Sequence, residues 1–138
     1  MSMMINIDVP DLKNALAFYT QAFGLTLRRY LGDQIAELAG WPVAVFLLQK
    51  EGASIGAGDS RRTYERHWTP IHLDIAVDDV GEAVARAVRA GAIVEQDVRT
   101  AAWGKIAALA DPFGHGFCLI EFVDRGYDEI AEPSPPSA

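Results

Sequence analysis

The chain has 138 residues, 50% of them apolar and 22% charged, which is enough material for one globular domain with a sizeable core. Its net charge of −7 argues against a nucleic-acid surface, and no apolar run approaches the roughly 20 residues of a membrane span. One cysteine excludes an internal disulfide and fits a reducing cytoplasm, and Met1-Ser-Met-Met lacks the basic and apolar regions of a secretory leader.

From Met4 to Val9, Ile5, Ile7 and Val9 alternate with Asn6 and Asp8, the period of a half-buried strand. Asp11 can cap a helix whose apolar stripe is Leu12, Ala15, Leu16, Tyr19 and Phe23, and Gly24 can end it. Strand-like runs follow at Leu25–Leu31, Gln34–Leu38 and Val43–Leu48, punctuated by Gly32-Asp33 and Gly40-Trp41-Pro42. Periodicity is then lost from Lys50 to Pro70, where Arg61, Arg62 and Arg66 read as a solubilising cluster diluted by Asp59 and Glu65.

Alternation resumes at Ile71–Val77. Asp79 with Glu82 resembles a capping box, Val80, Ala83, Val84, Ala87 and Val88 form the next helical stripe, and Gly91 stops it. Ala92–Val98, Lys105–Ala110 and Gly116–Val123 read as strands, with Asp111-Pro-Phe-Gly114 a type I turn between the last two. The acidic tail from Asp124 ends Glu-Pro-Ser-Pro-Pro-Ser-Ala and is expected not to order itself.

The second half restates the first. Ile7-Asp-Val-Pro-Asp11-Leu-Lys-Asn-Ala15-Leu-Ala17 returns 68 positions later as Ile75-Ala-Val-Asp-Asp79-Val-Gly-Glu-Ala83-Val-Ala85, with five of eleven positions identical. The expected fold is therefore α+β: two βαβββ modules in tandem within one domain, 1–123. Module one is 4–49, the connector 50–70 and module two 71–123, followed by the tail 124–138. Strand parity turns Ile5, Ile7, Val9 and Leu73, Ile75, Val77 toward the helices. The opposite faces carry Met4, Asn6 and Asp8 in one copy and His72, Asp74 and Ala76 in the other. Parity alone leaves two readings open: a shared concave ligand surface, or faces that are simply solvated.

Three segments carry a family resemblance: Asp11-Leu-Lys-Asn-Ala-Leu-Ala-Phe-Tyr19 with Phe23-Gly-Leu25, His72-Leu-Asp-Ile-Ala-Val77-Asp-Asp79, and Trp103-Gly104 leading to Asp111-Pro-Phe-Gly-His-Gly-Phe-Cys-Leu-Ile-Glu-Phe122. With the duplication they make residues 4 to 123 resemble the vicinal oxygen chelate superfamily of glyoxalase I, bleomycin-resistance proteins and extradiol dioxygenases. The resemblance implies a curved mixed sheet, the glyoxalase/bleomycin resistance/dihydroxybiphenyl dioxygenase fold, and a homodimer. It also implies metal ligands from the first and last strand of each copy, which fall on Met4, the run Val43–Leu48, His72 and Cys118. Only His72 matches. Met4 stands where a second histidine is usual, Val43–Leu48 offers no donor, and Cys118 replaces a glutamate. Glu121 lies an odd number of residues from Cys118 and should face the other way. The metal site is expected to be dismantled, with no cofactor.

The expected ligand-binding residues are Asn6, Asp8, His72, Asp74, Trp103 and Cys118, with no metal ligand set and His72 as the candidate catalytic base. Asp74 is expected to reach His72 only through a neighbouring strand. Cys118 reads by default as a buried, inert thiol, and His115 as a residue that secures its turn. Trp41 and Trp103 both flank strand starts, with Trp103 favoured as a pocket wall. The expected function is metal-free binding of a small polar or aromatic molecule on the concave face. Two other readings are a lyase, isomerase or dioxygenase-type enzyme acting through His72, with or without a divalent metal, and an interaction module serving dimerisation. The expected partners are a small molecule and a second copy of the chain, with neither nucleic acid nor membrane.

Overall fold

The computed structural model describes residues 1–133 and divides them into two four-stranded sheets, each with one helix. The first module runs β1 (Met4–Val9), α1 (Leu12–Phe23), β2 (Thr26–Leu31), β3 (Ile35–Ala39) and β4 (Ala44–Gln49). After a short hairpin, β5 (Ile55–Ala57) and β6 (Ser60–Arg61), the second runs β7 (Leu73–Ala76), α2 (Val80–Ala90), β8 (Ile93–Ala101), β9 (Gly104–Ala110) and β10 (Gly116–Phe122). A single 3-10 turn covers Gly126–Glu129.

The sheets have matching order, β1-β4-β3-β2 and β7-β10-β9-β8. In each, the first strand pairs parallel with the last while the other neighbours are antiparallel. Parallel pairing requires a crossover, and α1 and α2 are part of those crossovers. β1 and β7 are therefore edge strands in their own sheets, a fact that decides where the cavity lies.

Both helices begin as the sequence suggests. Asp11 Oδ1 accepts from Asn14 N at 2.8 Å and Asp79 Oδ1 from Glu82 N at 2.9 Å. A further device lies in the last strand of each module. Gln49 Oε1 accepts from Leu12 N at 2.8 Å and Glu121 Oε2 from Val80 N at 2.9 Å, so each helix N-terminus is tied to its own sheet. Gly24, at φ 68°, closes α1 in the left-handed region that glycine reaches without penalty.

The helices pack on each other, and one hydrophobic core serves both modules. Phe18, Tyr19 and Ala22 of α1 meet Leu109, Phe113, Phe117 and Leu119 of module two in that core. Phe18 makes edge-on aromatic contacts with Tyr19, Phe23 and Phe113. Phe18 was absent from the expected stripe, because a helix held between its sheet and a second helix buries a wider arc than one seated on a sheet alone. α2 departs in the other direction: Val80 and Ala87 are buried, yet Val88 is 46% exposed.

Two irregular segments are more ordered than composition implies. The connector forms the β5–β6 hairpin and is clamped through its second half. Arg62 Nε pairs with Asp8 Oδ2 at 2.8 Å, and Arg66 holds Glu95 through Nε at 2.8 Å and Nη2 at 3.0 Å. These arginines fasten the connector to β1 and β8 rather than merely solubilising it. The tail begins with the 3-10 turn, where Tyr127 packs on Trp103 and Phe122 at centroid distances of 5.1 and 4.8 Å. Its expected disorder fails there because an aromatic residue found partners. The final Ser-Pro-Pro-Ser-Ala lies outside the described residues.

Candidate functional site

A cavity of about 460 Å³ opens between the modules, along the gap separating β1 from β7. β1 contributes Ile5, Asn6, Ile7 and Asp8, and the entry to β7 contributes Ile71, His72, Leu73 and Ile75. α1 supplies Tyr19 and Phe23, the β3–β4 loop supplies Trp41, and the connector supplies His67 and Thr69. The floor is the segment from Gly114 to Phe117. The expected concave face is therefore corrected. Because β1 and β7 are edges, both faces of each strand reach the gap, so the helix-facing Ile5, Ile7 and Ile75 line it alongside Asn6, Asp8 and His72. Its walls are mostly apolar and aromatic with a few polar groups, the usual make-up of a small-molecule site.

The chain has three histidines, and His67, His72 and His115 all line this cavity. Each has Nδ1 directed at an oxygen acceptor: His67 at Glu65 O (2.9 Å), His72 at Asp74 Oδ1 (3.0 Å) and His115 at Asp111 Oδ2 (2.7 Å). The His72–Asp74 bond corrects the expectation that residues two apart on one strand could not pair. His72 lies just ahead of β7, off the pleat, so its ring can swing along the strand.

Behind the cavity floor Asp111 is buried, at 2% exposure, and holds the floor through His115. Its Oδ1 accepts from Phe113 N and His115 N, both at 2.9 Å, and its Oδ2 accepts from Tyr19 OH and His115 Nδ1, both at 2.7 Å. Burial, reinforced by the neighbouring Asp111 charge and hydrogen bond, raises Tyr19 well above the ordinary phenol range, so its hydroxyl remains a donor. Tyr64 stands edge-on to the His115 ring at 6.5 Å and is itself raised, by burial and then by Asp8, against the opposing pull of Arg62.

The connector crosses this floor closely enough to dictate glycine beneath it. A Cβ on Gly114, where φ is 91°, would run into the Tyr64 carbonyl oxygen, a fixed backbone atom, whereas one on Gly116 would meet only the movable end of the Arg66 side chain. The Asp-Pro-Phe-Gly-His-Gly run is thus both a turn and a seat for the connector.

The other expected site residues divide. Asn6, Asp8 and His72 line the cavity, although Asp8 is also committed to Arg62. Asp74 and Cys118 sit beside it, in register across the parallel β7–β10 pair. Trp103 is elsewhere, stacked with Phe122 and Tyr127 against the tail, and Trp41 is the tryptophan of the wall. The expectation that favoured Trp103 as the pocket wall is corrected: both tryptophans precede a strand, and the partner of Trp103 lies in a tail that looked unstructured.

Among the described residues, donors suited to a metal come together only as His72, Asp74 and Cys118, whose ligand atoms lie within 4.8 Å of one another. Met4 and the strand Ala44–Gln49 bring no donor from module one into this group. Glu121 faces the helix, with Oε2 on Val80 N and Oε1 3.6 Å from Lys105 Nζ. Burial, then the Asp74 charge and hydrogen bond, raise Cys118 above the ordinary thiol range, which keeps the thiol protonated. A two-module, oxygen- and imidazole-rich divalent site of the kind implied by the family does not fit these residues.

No curated protein matches the chain. Solved structures do. A glyoxalase/bleomycin resistance protein/dioxygenase family enzyme from Burkholderia phytofirmans PsJN superposes at TM-score 0.66 with 19% identity, covering 87% of this chain and 97% of that one. TioX from Micromonospora sp. ML1 gives 0.65 at 18% identity, with 89% and 99% covered. The fosfomycin resistance protein FosX of Listeria monocytogenes, solved with Mn(II), gives 0.65 at 18%, with 85% and 86% covered. Identities this low speak to the fold alone. The profile of the glyoxalase-like domain matches residues 4–120, nearly the full extent of both modules, and the chain belongs to that family.

Proposed function

We propose that this protein binds a small, largely aromatic molecule in the cavity between its modules, without a metal ion. The observation that carries the reading is the cavity's lining: Tyr19, Phe23, Trp41 and Phe117 beside three imidazoles and Asn6. A volume of about 460 Å³ falls within the range of small-molecule sites and suits a ligand of two or three fused or linked rings. Aromatic walls supply area and shape, and the polar groups set orientation.

The test has two arms. Protein purified without added metal is assayed for Fe, Mn, Ni and Zn, then titrated calorimetrically with a panel of bicyclic aromatic compounds. Sub-stoichiometric metal with one-to-one binding of panel members supports the reading. A stoichiometric metal ion, or no binding by any member, sinks it.

One observation favours a second reading. His72 is held by Asp74 at 3.0 Å with its ring at the cavity, an arrangement that suits a general base. In that case the same cavity is an active site for a lyase or isomerase step. Turnover of a bound panel compound that disappears in His72→Asn would distinguish catalysis from binding.

A further inference from the structure

His115 reads from sequence as a turn-securing residue, yet the turn does not need an imidazole. Asp111 Oδ1 already accepts from Phe113 N and His115 N, which closes the loop by backbone donors alone. The imidazole adds a third element: Nδ1 on Asp111 Oδ2 at 2.7 Å, beside the Tyr19 hydroxyl on the same oxygen. A carboxylate oxygen offers only lone pairs, so at 2.7 Å it is Nδ1 that must carry the hydrogen and donate it. The neutral ring is thereby fixed in the Nδ1–H tautomer, with a lone pair on Nε2. Nε2 has no hydrogen-bond partner among the described residues, and the ring lines the cavity.

The three histidines are not equivalent in this respect. His72 and its Asp74 partner are 57% and 39% exposed as side chains, so water competes at both ends of that pair. His115 is 36% exposed and its Asp111 carboxylate is 0% exposed. The hydrogen bond of His115 is therefore the dry one, set beside Tyr19 and Phe117. The Nε2 edge faces the cavity, so a ligand that covers the ring displaces water from it; an acceptor then left without a donor is costly, which discriminates between ligands that can and cannot supply one.

Building on the small-molecule reading above, we propose that the cavity selects aromatic ligands carrying a hydrogen-bond donor, a phenolic O–H or a heteroaromatic N–H. His115 Nε2, oriented by Asp111, is the acceptor that reads it. Asp111 is a positioning residue that acts through His115, and Tyr19 ties the pair to module one.

The test compares 2-naphthol with 2-methoxynaphthalene at pH 8, by calorimetry, on the wild type and on His115→Asn and His72→Asn. The asparagine amide can keep the donor to Asp111 while deleting the Nε2 acceptor. The wild type is expected to prefer the naphthol by about tenfold, the worth of one desolvated hydrogen bond. His115→Asn is expected to bring the two ligands within about twofold of each other, and His72→Asn to leave the preference intact. Equal binding of naphthol and ether by the wild type overturns the inference while leaving the small-molecule reading standing. So does a preference lost in His72→Asn and kept in His115→Asn. Binding of neither ligand overturns this inference, and the small-molecule reading falls with it when no panel member binds either. Nitrogen-15 NMR of the wild-type histidines supplies a readout free of folding effects: an Nδ1–H tautomer whose Nε2 resonance moves with naphthol supports the assignment, and an Nε2–H tautomer at His115 rejects it.

Discussion

Tyr19 joins the two modules through one buried hydrogen bond, its phenol donating to Asp111 across 92 positions of sequence. Removing the hydroxyl in Tyr19→Phe is expected to cost about 1–2 kcal/mol at pH 7, because a buried acceptor loses a donor. The pH dependence has a definite sign. The Tyr19 phenol is raised in the folded state, whereas an unfolded tyrosine ionises near 10, so above roughly pH 10 the unfolded chain holds fewer protons and stability falls as pH rises. Urea unfolding at pH 7 and 10.5 should show the wild type losing more stability over that interval than Tyr19→Phe. Cys118 gives a second prediction at this scale. With its thiol raised by burial and by Asp74, alkylation by iodoacetamide at pH 7.5 should be slower than for a free thiol, and Asp74→Asn should accelerate it a few-fold. An unchanged rate in Asp74→Asn would remove the carboxylate from the account of that thiol.

The elements repeat more faithfully than the residues do. Both modules place a side chain from their last strand on the first free N–H of their helix, Gln49 at Leu12 and Glu121 at Val80, and both use an aspartate N-cap. The caps, the period-two strands and the glycine stops were legible because each depends on neighbours within a few positions. Gly114 is different, since its requirement comes from the connector passing over it. Gly114→Ala is expected to destabilise by about 2–4 kcal/mol in chemical denaturation, where a Cβ meets Tyr64 O as well as a positive φ. Gly32→Ala, also at positive φ but with open space around it, should cost only about 1–2 kcal/mol. Equal losses would mean that the connector yields easily at Tyr64.

For the whole molecule, the cavity is the consequence of two sheets whose first strands are both edges and whose helices share one core. Trp41 lines it while Trp103 stacks on the tail, so an aromatic ligand should quench fluorescence in the wild type and in Trp103→Phe but much less in Trp41→Phe. Quenching that follows Trp103 would put the ligand elsewhere. By itself the sequence determined the duplication, the order of elements in each module, the caps and the opposite facing of Glu121, because periodicity and short-range hydrogen bonding set these. Only the tertiary structure decided the rest. It brought Asp74 onto His72, seated Asp111 and His115 under Tyr19, and separated Trp41 from Trp103. The Tyr19–Asp111 bond joins residues 92 positions apart and the His72–Asp74 bond depends on where a strand's pleat begins, and no local period encodes which edge will face which.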